Sequence, residues 1–374
     1  MDWSLLALPG FLAWLIILIL PWRPWSTRES LDADPALQAD LSRVTVLIPA
    51  RNEQDVIAET LDALATQGHG LRTILIDDQS TDATSAIAKQ KNVENFKIIN
   101  GQSVPPGWSG KLWALEQGRR QVNTEFILLL DADIQLQPGT IATLLLKLDQ
   151  KQLDMVSLMA RLRMKNFWEK LLMPAFVFFF KLLYPFHLSN SISQHVAAAA
   201  GGCILIKSST LTGIGGFESL RECLIDDCAL AKKIKNNGGR IWIGLTHSAI
   251  SLRRYEHLQV IWNIVARTAF TQLHFSCFLL ILCTFLMLAA FALPIIALVA
   301  PAIPSRILGI LTLAIMFSCY LPVLKYYAMN PLWGLSLPVT GMLYLAMTWS
   351  SAHRYLFRTG ARWKDRHYRI PGPK

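Results

Sequence analysis

Charge is scarce in this chain. Asp, Glu, Lys and Arg make up 17% of 374 residues, against 52% hydrophobic. That balance excludes a disordered chain and is too apolar for an ordinary soluble enzyme. Cysteine is also sparse: six residues, none in a CxxC or CxxC…H spacing. A disulfide framework and a zinc site are therefore excluded, and Cys223 and Cys228 read as reduced thiols. Acids are the minority charge, 26 against 36 bases, for a net charge of +10. Such an excess suits nucleic acid or an anionic membrane surface, and the placement of the apolar residues decides between them.

The apolar residues gather at the two ends. Trp3 to Trp22 carries no charge, no basic region precedes it, and no small-residue cleavage site follows. A retained transmembrane helix fits this better than a signal peptide. Ser276–Ala300, Ile307–Leu324 and Pro331–Ala352 are three further uncharged stretches long enough to span. The expected organisation is an N-terminal membrane helix (1–25), a central domain (40–275), C-terminal membrane helices (276–352) and a basic tail (353–374). A membrane-tethered enzyme follows, with no nucleic-acid partner. Arg23 and Arg28 on the domain side of the first helix place the domain in the cytoplasm. The tail carries Arg354, Arg358, Arg362, Lys364, Arg366, Arg369 and Lys374 against Asp365, so it belongs on the same side. Three full spans would leave it outside, so one stretch, holding Pro322 or Pro338, should be re-entrant or interfacial. The expected location is the bacterial inner membrane, multi-pass.

In the central domain, VTVLIP, RTILID, FKIIN and FILLL read as strands separated by helical segments of ordinary length. Alternating strands and helices predict an α/β, doubly wound, mostly parallel sheet, whose ligands bind beyond the carboxyl ends of the strands. Polar clusters stand at those ends: Arg51, Asn52 and Glu53 after the first strand, Asp77 and Asp78 after the second, and Asp131 and Asp133 after the fourth. Asp82 has a plain reading as a helix cap. Asp77 does not, because a carboxylate ending an apolar strand is poorly solvated without a partner. Asp131-x-Asp133 can be a turn, yet two carboxylates so spaced after a buried strand can also hold a hard divalent cation. Asn166 to Ser189 is aromatic and apolar, and reads as a helix in the bilayer interface (near 166–189) rather than core.

IPARNE, LIDDQSTD and LLDADI, in that order, resemble the nucleotide-sugar half of an inverting, family 2 glycosyltransferase of GT-A fold. VPPGWSGKLWALEQG, AAAAGGCILI, LIDDCALA, SLRRYEHLQVIWNIVARTAFTQL and ARWKDR extend the likeness to the hopene-associated glycosyltransferases, relatives of the ceramide glucosyltransferases. The resemblance implies a GT-A domain with one N-terminal and two to three C-terminal transmembrane helices. It implies donor contacts at Arg51, Asn52, Glu53, Asp77, Asp78, Lys111, Asp131 and Arg267, and Mg²⁺ or Mn²⁺ held by Asp131 and Asp133. It further implies a catalytic base at Asp227, with Asp226 beside it, and acceptor-side candidates Gly201, Gly202 and Trp262. A plain reading of Asp226 and Asp227 is helix N-terminal charge, and both roles can hold together. The related enzymes carry a Gln/Arg-x-x-Arg-Trp motif about forty residues past the base. Here the stretch is Ile264-Val265-Ala266-Arg267-Thr268, a departure that disfavours processive polymer synthesis. Arg253 and Arg254 are as readily surface residues as functional ones.

The expected activity is transfer of a sugar from a nucleotide donor, of UDP type, to a lipid hydroxyl, a hopanoid or similar isoprenoid. Polyprenyl phosphate is an alternative acceptor. A catalytically silent membrane scaffold is the alternative of another class, disfavoured by the complete acidic set.

Overall fold

A computed structural model describes residues 7–37, 39–221, 223 and 225–357, and the backbone of 361–363 and 366–368. Of the basic tail, Arg358, Lys364, Asp365, Arg369 and Lys374 lie outside the described residues. The chain forms two compact units, one of residues 29–163 and 186–254, the other of 1–28, 164–185 and 255–374. The central block thus does not run unbroken from 40 to 275. Residues 164–185 and 255–275 group with the apolar ends, and 29–37 joins the sheet, where Leu31 N donates to Leu245 O at 2.9 Å.

The first unit is built on an eight-stranded sheet. Its strands are β1 (Val44–Ala50), β2 (Arg72–Asp77), β3 (Phe96–Asn100), β4 (Phe126–Leu130), β5 (Ile134–Leu136), β6 (Met155–Arg161), β7 (Cys203–Lys207) and β8 (Ile241–Ser251). Their order is β3-β2-β1-β4-β7-β6-β8-β5. The first four are all parallel, as the sequence predicts. Beyond β4 the sheet is mixed: β7 is antiparallel to both neighbours, β8 is parallel to β6, and β5 is antiparallel to β8. Six strands thus run in one direction, and β7 and β5 are the two reversed strands of a mixed but mostly parallel sheet.

Side chains alternate between two cores. Val44, Val46 and Ile48 with Phe126, Leu128 and Leu130 face one layer, while Leu47, Ile76, Ile127 and Leu129 face the other. β4 is buried throughout, which is why FILLL shows no polar alternation. The topology positions the site. Because β7 runs against β4, its leading residues Gly201 and Gly202 arrive beside the end of β4, and Asp131 N donates to Gly202 O at 3.0 Å. β8 runs with β4 in direction, so its end, at Ser251, comes to the same edge of the sheet.

The second unit is helical. Cys277–Leu298 and Ile303–Tyr326 are long and apolar enough to cross a membrane. Pro322 sits inside the second without ending it. Leu337–Leu356, which starts beside Pro338, is helical but is not one of these two. The N-terminal stretch forms a helix of 12 described residues, Leu8–Ile19. Its Trp14 is 1% exposed, stacks on Phe178 at 6.2 Å and donates from Nε1 to Ala290 O. Gly10 allows this approach, since a Cβ there would lie 2.2 Å from Ala289 O.

The apolar stretch forms the helix Phe167–Leu183, which opens with a capping box between Asn166 and Glu169. Phe178 packs against Tyr320 and Phe179 against Tyr344, while Phe167 and Leu183 at its ends are exposed. Glu169, fully buried, accepts from the N–H groups of Lys165, Asn166 and Tyr255.

Candidate active site

Two loops close over the ends of β1 and β2. Arg51 donates from Nη1 to the carbonyls of Asp78 and Gln79, at 2.7 and 3.1 Å. Asn52 accepts at Oδ1 from Thr81 N, and Asp77 Oδ1 accepts from Ser80 N at 3.0 Å. Asp77 thus closes a turn ahead of the helix Thr84–Lys89 and does not cap it, while Asp82, just before that helix, accepts from Thr84 N and Gln54 N. Asn52 and Gln79 both take positive φ, 51° and 59°, a strained conformation that persists where surrounding bonds enforce it. Asp78 is 2% exposed at the base of these turns.

Past β4 the acids divide. Asp131 Oδ1 meets Lys111 Nζ at 2.5 Å. Lys111 stands in the first turn of the helix Gly110–Arg119, which Ser109 caps by accepting from Leu112 N. Asp133 turns elsewhere: its Oδ2 accepts from Arg253 Nε at 3.1 Å and from Ser251 Oγ at 3.2 Å. Arg253 Nη2 also reaches Glu53 Oε1 at 3.2 Å. Asp133 is 6% exposed, so it is a buried member of an ion cluster.

Asp226 and Asp227 open the helix Asp226–Asn236, where the free amides favour negative charge. Asp227 is held at both oxygens, Oδ2 by Gly201 N at 2.8 Å and Oδ1 by Cys228 N at 2.7 Å. A Cβ on Gly201 would lie 3.3 Å from Asp227 Oδ2 and 3.4 Å from Lys111 Nζ. Gly201, expected on the acceptor side, is thus part of the acid cluster itself. A small cleft of about 20 Å³ is lined by Pro49, Lys111, Asp131, Gly201, Asp226 and Asp227, among others.

Burial and the neighbouring Asp226 push the Asp227 carboxyl up to about 6, against the pull of Cys228 N, Lys111 and Gly201 N. Burial also raises Asp131, partly countered by Lys111. At Lys111 burial opposes the charge, but Asp131, Asp226 and Asp227 outweigh it and hold the ammonium above its ordinary value. The cluster is thus a strongly held cation beside a carboxylate of raised basicity.

Three acids against one ammonium leave the cleft short of positive charge, and the donors are all oxygen, the chemistry that suits Mg²⁺ or Mn²⁺. Among the described residues no three His, Cys, Asp or Glu converge on a metal position. The residues therefore fit an ion bound by one or two carboxylates and completed by ligand phosphates, with Asp131 facing the cleft. Trp262 and Arg267 lie, half-buried, on the helix Leu258–Gln272 of the helical unit. Gly202 packs toward Ile134. Sequence reasoning missed the pairing of Arg253 with Asp133 and Glu53. The only signal was an arginine just past a long apolar strand.

Residues 45–214 match the family model described as Glycosyl transferase family 2. Among curated proteins, the chain is 30% identical over 96 residues to the 4,4'-diaponeurosporenoate glycosyltransferase of Staphylococcus haemolyticus, covering 25% of this chain and 24% of that one. It is 27% identical over 271 residues to the poly-beta-1,6-N-acetyl-D-glucosamine synthase of Staphylococcus aureus, covering 71% of this chain and 61% of that one. The chain thus spans less than two thirds of either relative's length. A solved mannosyltransferase of Pyrobaculum calidifontis, in complex with GDP-Man and Mn²⁺, aligns over 95% of this chain and 99% of its own, with a TM-score of 0.60 and 18% identity. That likeness is one of fold.

Proposed function

From a chain that carries a glycosyl transferase family 2 domain over residues 45–214, we propose a membrane-bound, inverting glycosyltransferase that moves a sugar from a nucleotide donor to a lipid hydroxyl. One observation carries the reading. Asp227, a carboxylate of raised basicity fixed by two backbone N–H groups, shares its cleft with the Lys111–Asp131 ion pair at the ends of the parallel strands. Asp227 takes the acceptor hydroxyl's proton as the oxygen attacks the anomeric carbon. The bond to the diphosphate breaks on the opposite face, and Lys111 is placed to meet the charge that develops on the leaving group. A divalent cation held by Asp131 and Asp133 would supply further positive charge to that diphosphate.

The loops after β1 and β2, which carry Arg51, Asn52, Asp77 and Asp78, are the proposed seat of the nucleoside. A lipid acceptor is supported by the helices Cys277–Leu298 and Ile303–Tyr326, whose most apolar windows are only 22% and 39% buried. Helices so apolar and so open are poor core elements and good spans. The hopanoid or isoprenoid class rests on the sequence motifs, and the departure at Ile264 and Thr268 separates this chain from polymer synthesis.

The test is an assay of membranes containing the protein with a panel of UDP- and GDP-sugars, followed by mass spectrometry of the lipid extract. A glycosylated neutral lipid is the expected product. A polyprenyl phosphosugar would move the acceptor to the phosphate class, and a polymer would overturn the single-transfer reading. No product with any donor, from protein that folds, would leave the scaffold.

A further inference from the structure

Arg253 does something at this site that neither its motif nor its place in the chain announces. Its guanidinium joins two acids from different strand ends: Glu53, after β1, through Nη2, and Asp133, after β4, through Nε. Asp133 is further enclosed, since Ser251 Oγ donates to the same Oδ2 and Leu252 N donates to its main-chain oxygen at 2.8 Å. Its side chain is 9% exposed. Asp131 lines the cleft beside Lys111, whereas Asp133, two residues on, is not among the residues lining it.

We infer that Arg253 withholds Asp133 from a divalent cation until the donor's diphosphate arrives, so that metal binding depends on the nucleotide. The inference rests on the donor-binding reading above and extends it to how the site loads. With Asp133 engaged, only Asp131 of the two reaches the cleft, itself paired with Lys111, and one carboxylate so placed is a poor site for a hydrated divalent ion. A diphosphate changes the balance. The Arg253 side chain is 34% exposed, against 13% for Glu53, and its planar fork suits phosphate oxygens as well as carboxylate. Turning to the phosphate releases Asp133 to the ion, whose remaining positions the phosphates fill. Arg253 and Asp133 each exchange one opposite charge for another, so neither is stranded in the cleft.

The test is Mn²⁺ titration of the full-length protein in detergent, followed by the electron paramagnetic resonance of free Mn²⁺, alone and with UDP or GDP. Wild-type protein should bind Mn²⁺ weakly alone and at least about tenfold more tightly with the nucleotide, a coupling of about 1.4 kcal/mol. Arg253→Gln frees Asp133, so Mn²⁺ binding without nucleotide should tighten about tenfold and the gain from nucleotide should shrink. Arg253→Lys keeps a cation there but loses the fork that spans both acids, so it should fall between wild type and Arg253→Gln. Glu53→Gln removes the competing acid, so Arg253 holds Asp133 more firmly and binding without nucleotide should weaken.

A folded Arg253→Gln protein that binds Mn²⁺ no better than wild type overturns the inference while leaving the donor reading standing. If that variant does not fold, unchanged or tighter binding in Glu53→Gln overturns it instead. Failure of every variant and of wild type to bind either Mn²⁺ or nucleotide removes the donor reading, and this inference with it.

Discussion

Asp227 is where charge, burial and geometry meet most sharply. Asp227→Asn preserves shape but cannot accept a proton, so donor binding should persist while transfer falls by about 10²–10⁴-fold, measured with labelled donor. Asp226→Asn should cost much less, because it is Asp227 whose two oxygens are aligned by Gly201 and Cys228. The base works ionised, so kcat/KM of the wild type should fall as pH drops through about 6. Lys111→Met removes a cation that lowers Asp227, and the acid limb should move to higher pH. The same residue makes a stability prediction. A folded-state pKa above the unfolded one means that ionisation costs stability, a cost absent below about pH 4 and full above about pH 6. Asp227→Asn removes that cost but turns an amide NH₂ on one of the two backbone N–H groups, so its stability relative to wild type should improve as pH rises from about 4 to 7.5. A relative stability that does not change over that range would show that ionising the carboxylate costs the fold nothing. What the sequence displayed at this scale were residues in contiguous motifs: Asp131, Asp227 and Lys111 stand at strand ends or helix starts, where charge is conspicuous. The link from Glu53 to Arg253 spans 200 residues, and no local pattern reports it.

At the scale of elements, the first four strands were legible because each is a short apolar run closed by a polar cluster. The rest were not, for a physical reason. β5 has three residues, too few for any period to register. β7 and β8 enter the sheet through long-range pairing, one of them against the direction of its neighbours. The reversal at β7 is what brings Gly201 to Asp227, and it makes the glycine testable. Gly201→Ala places a methyl 3.3 Å from Asp227 Oδ2 and 3.4 Å from Lys111 Nζ. Both are ends of side chains that can shift, so the protein should fold normally. Transfer should nonetheless drop, since a small displacement of a base carries a large penalty in rate. Wild-type turnover in the alanine variant would show that the N–H alone, not the tight fit, positions the carboxylate.

For the whole molecule, apolar stretches predicted membrane helices, but burial decides which of them also hold the helical unit together. The first helix is one that does. Trp14 is enclosed by Phe178, Phe291 and the Ala290 carbonyl, so Trp14→Ala should destabilise the detergent-solubilised protein by about 3–5 kcal/mol. Deletion of residues 1–22 should damage the helical unit, not merely loosen its anchorage. Retained thermal stability in either variant would return the helix to the role of a simple tether.

The division of the chain also sets an order of synthesis. The chain passes between the two units after residues 28, 163, 185 and 254. A ribosome therefore delivers most of the sheet, then the helix Phe167–Leu183, and only afterwards β7 and β8. The acids after β4 must wait for Gly201, Asp227 and Arg253, all of which follow that helix. Nascent protein released before residue 253 carries Asp131 and Asp133 without Arg253, and protein released before residue 227 lacks the base as well. The site is thus assembled late in translation, after an apolar helix has already emerged and needs a place to pack.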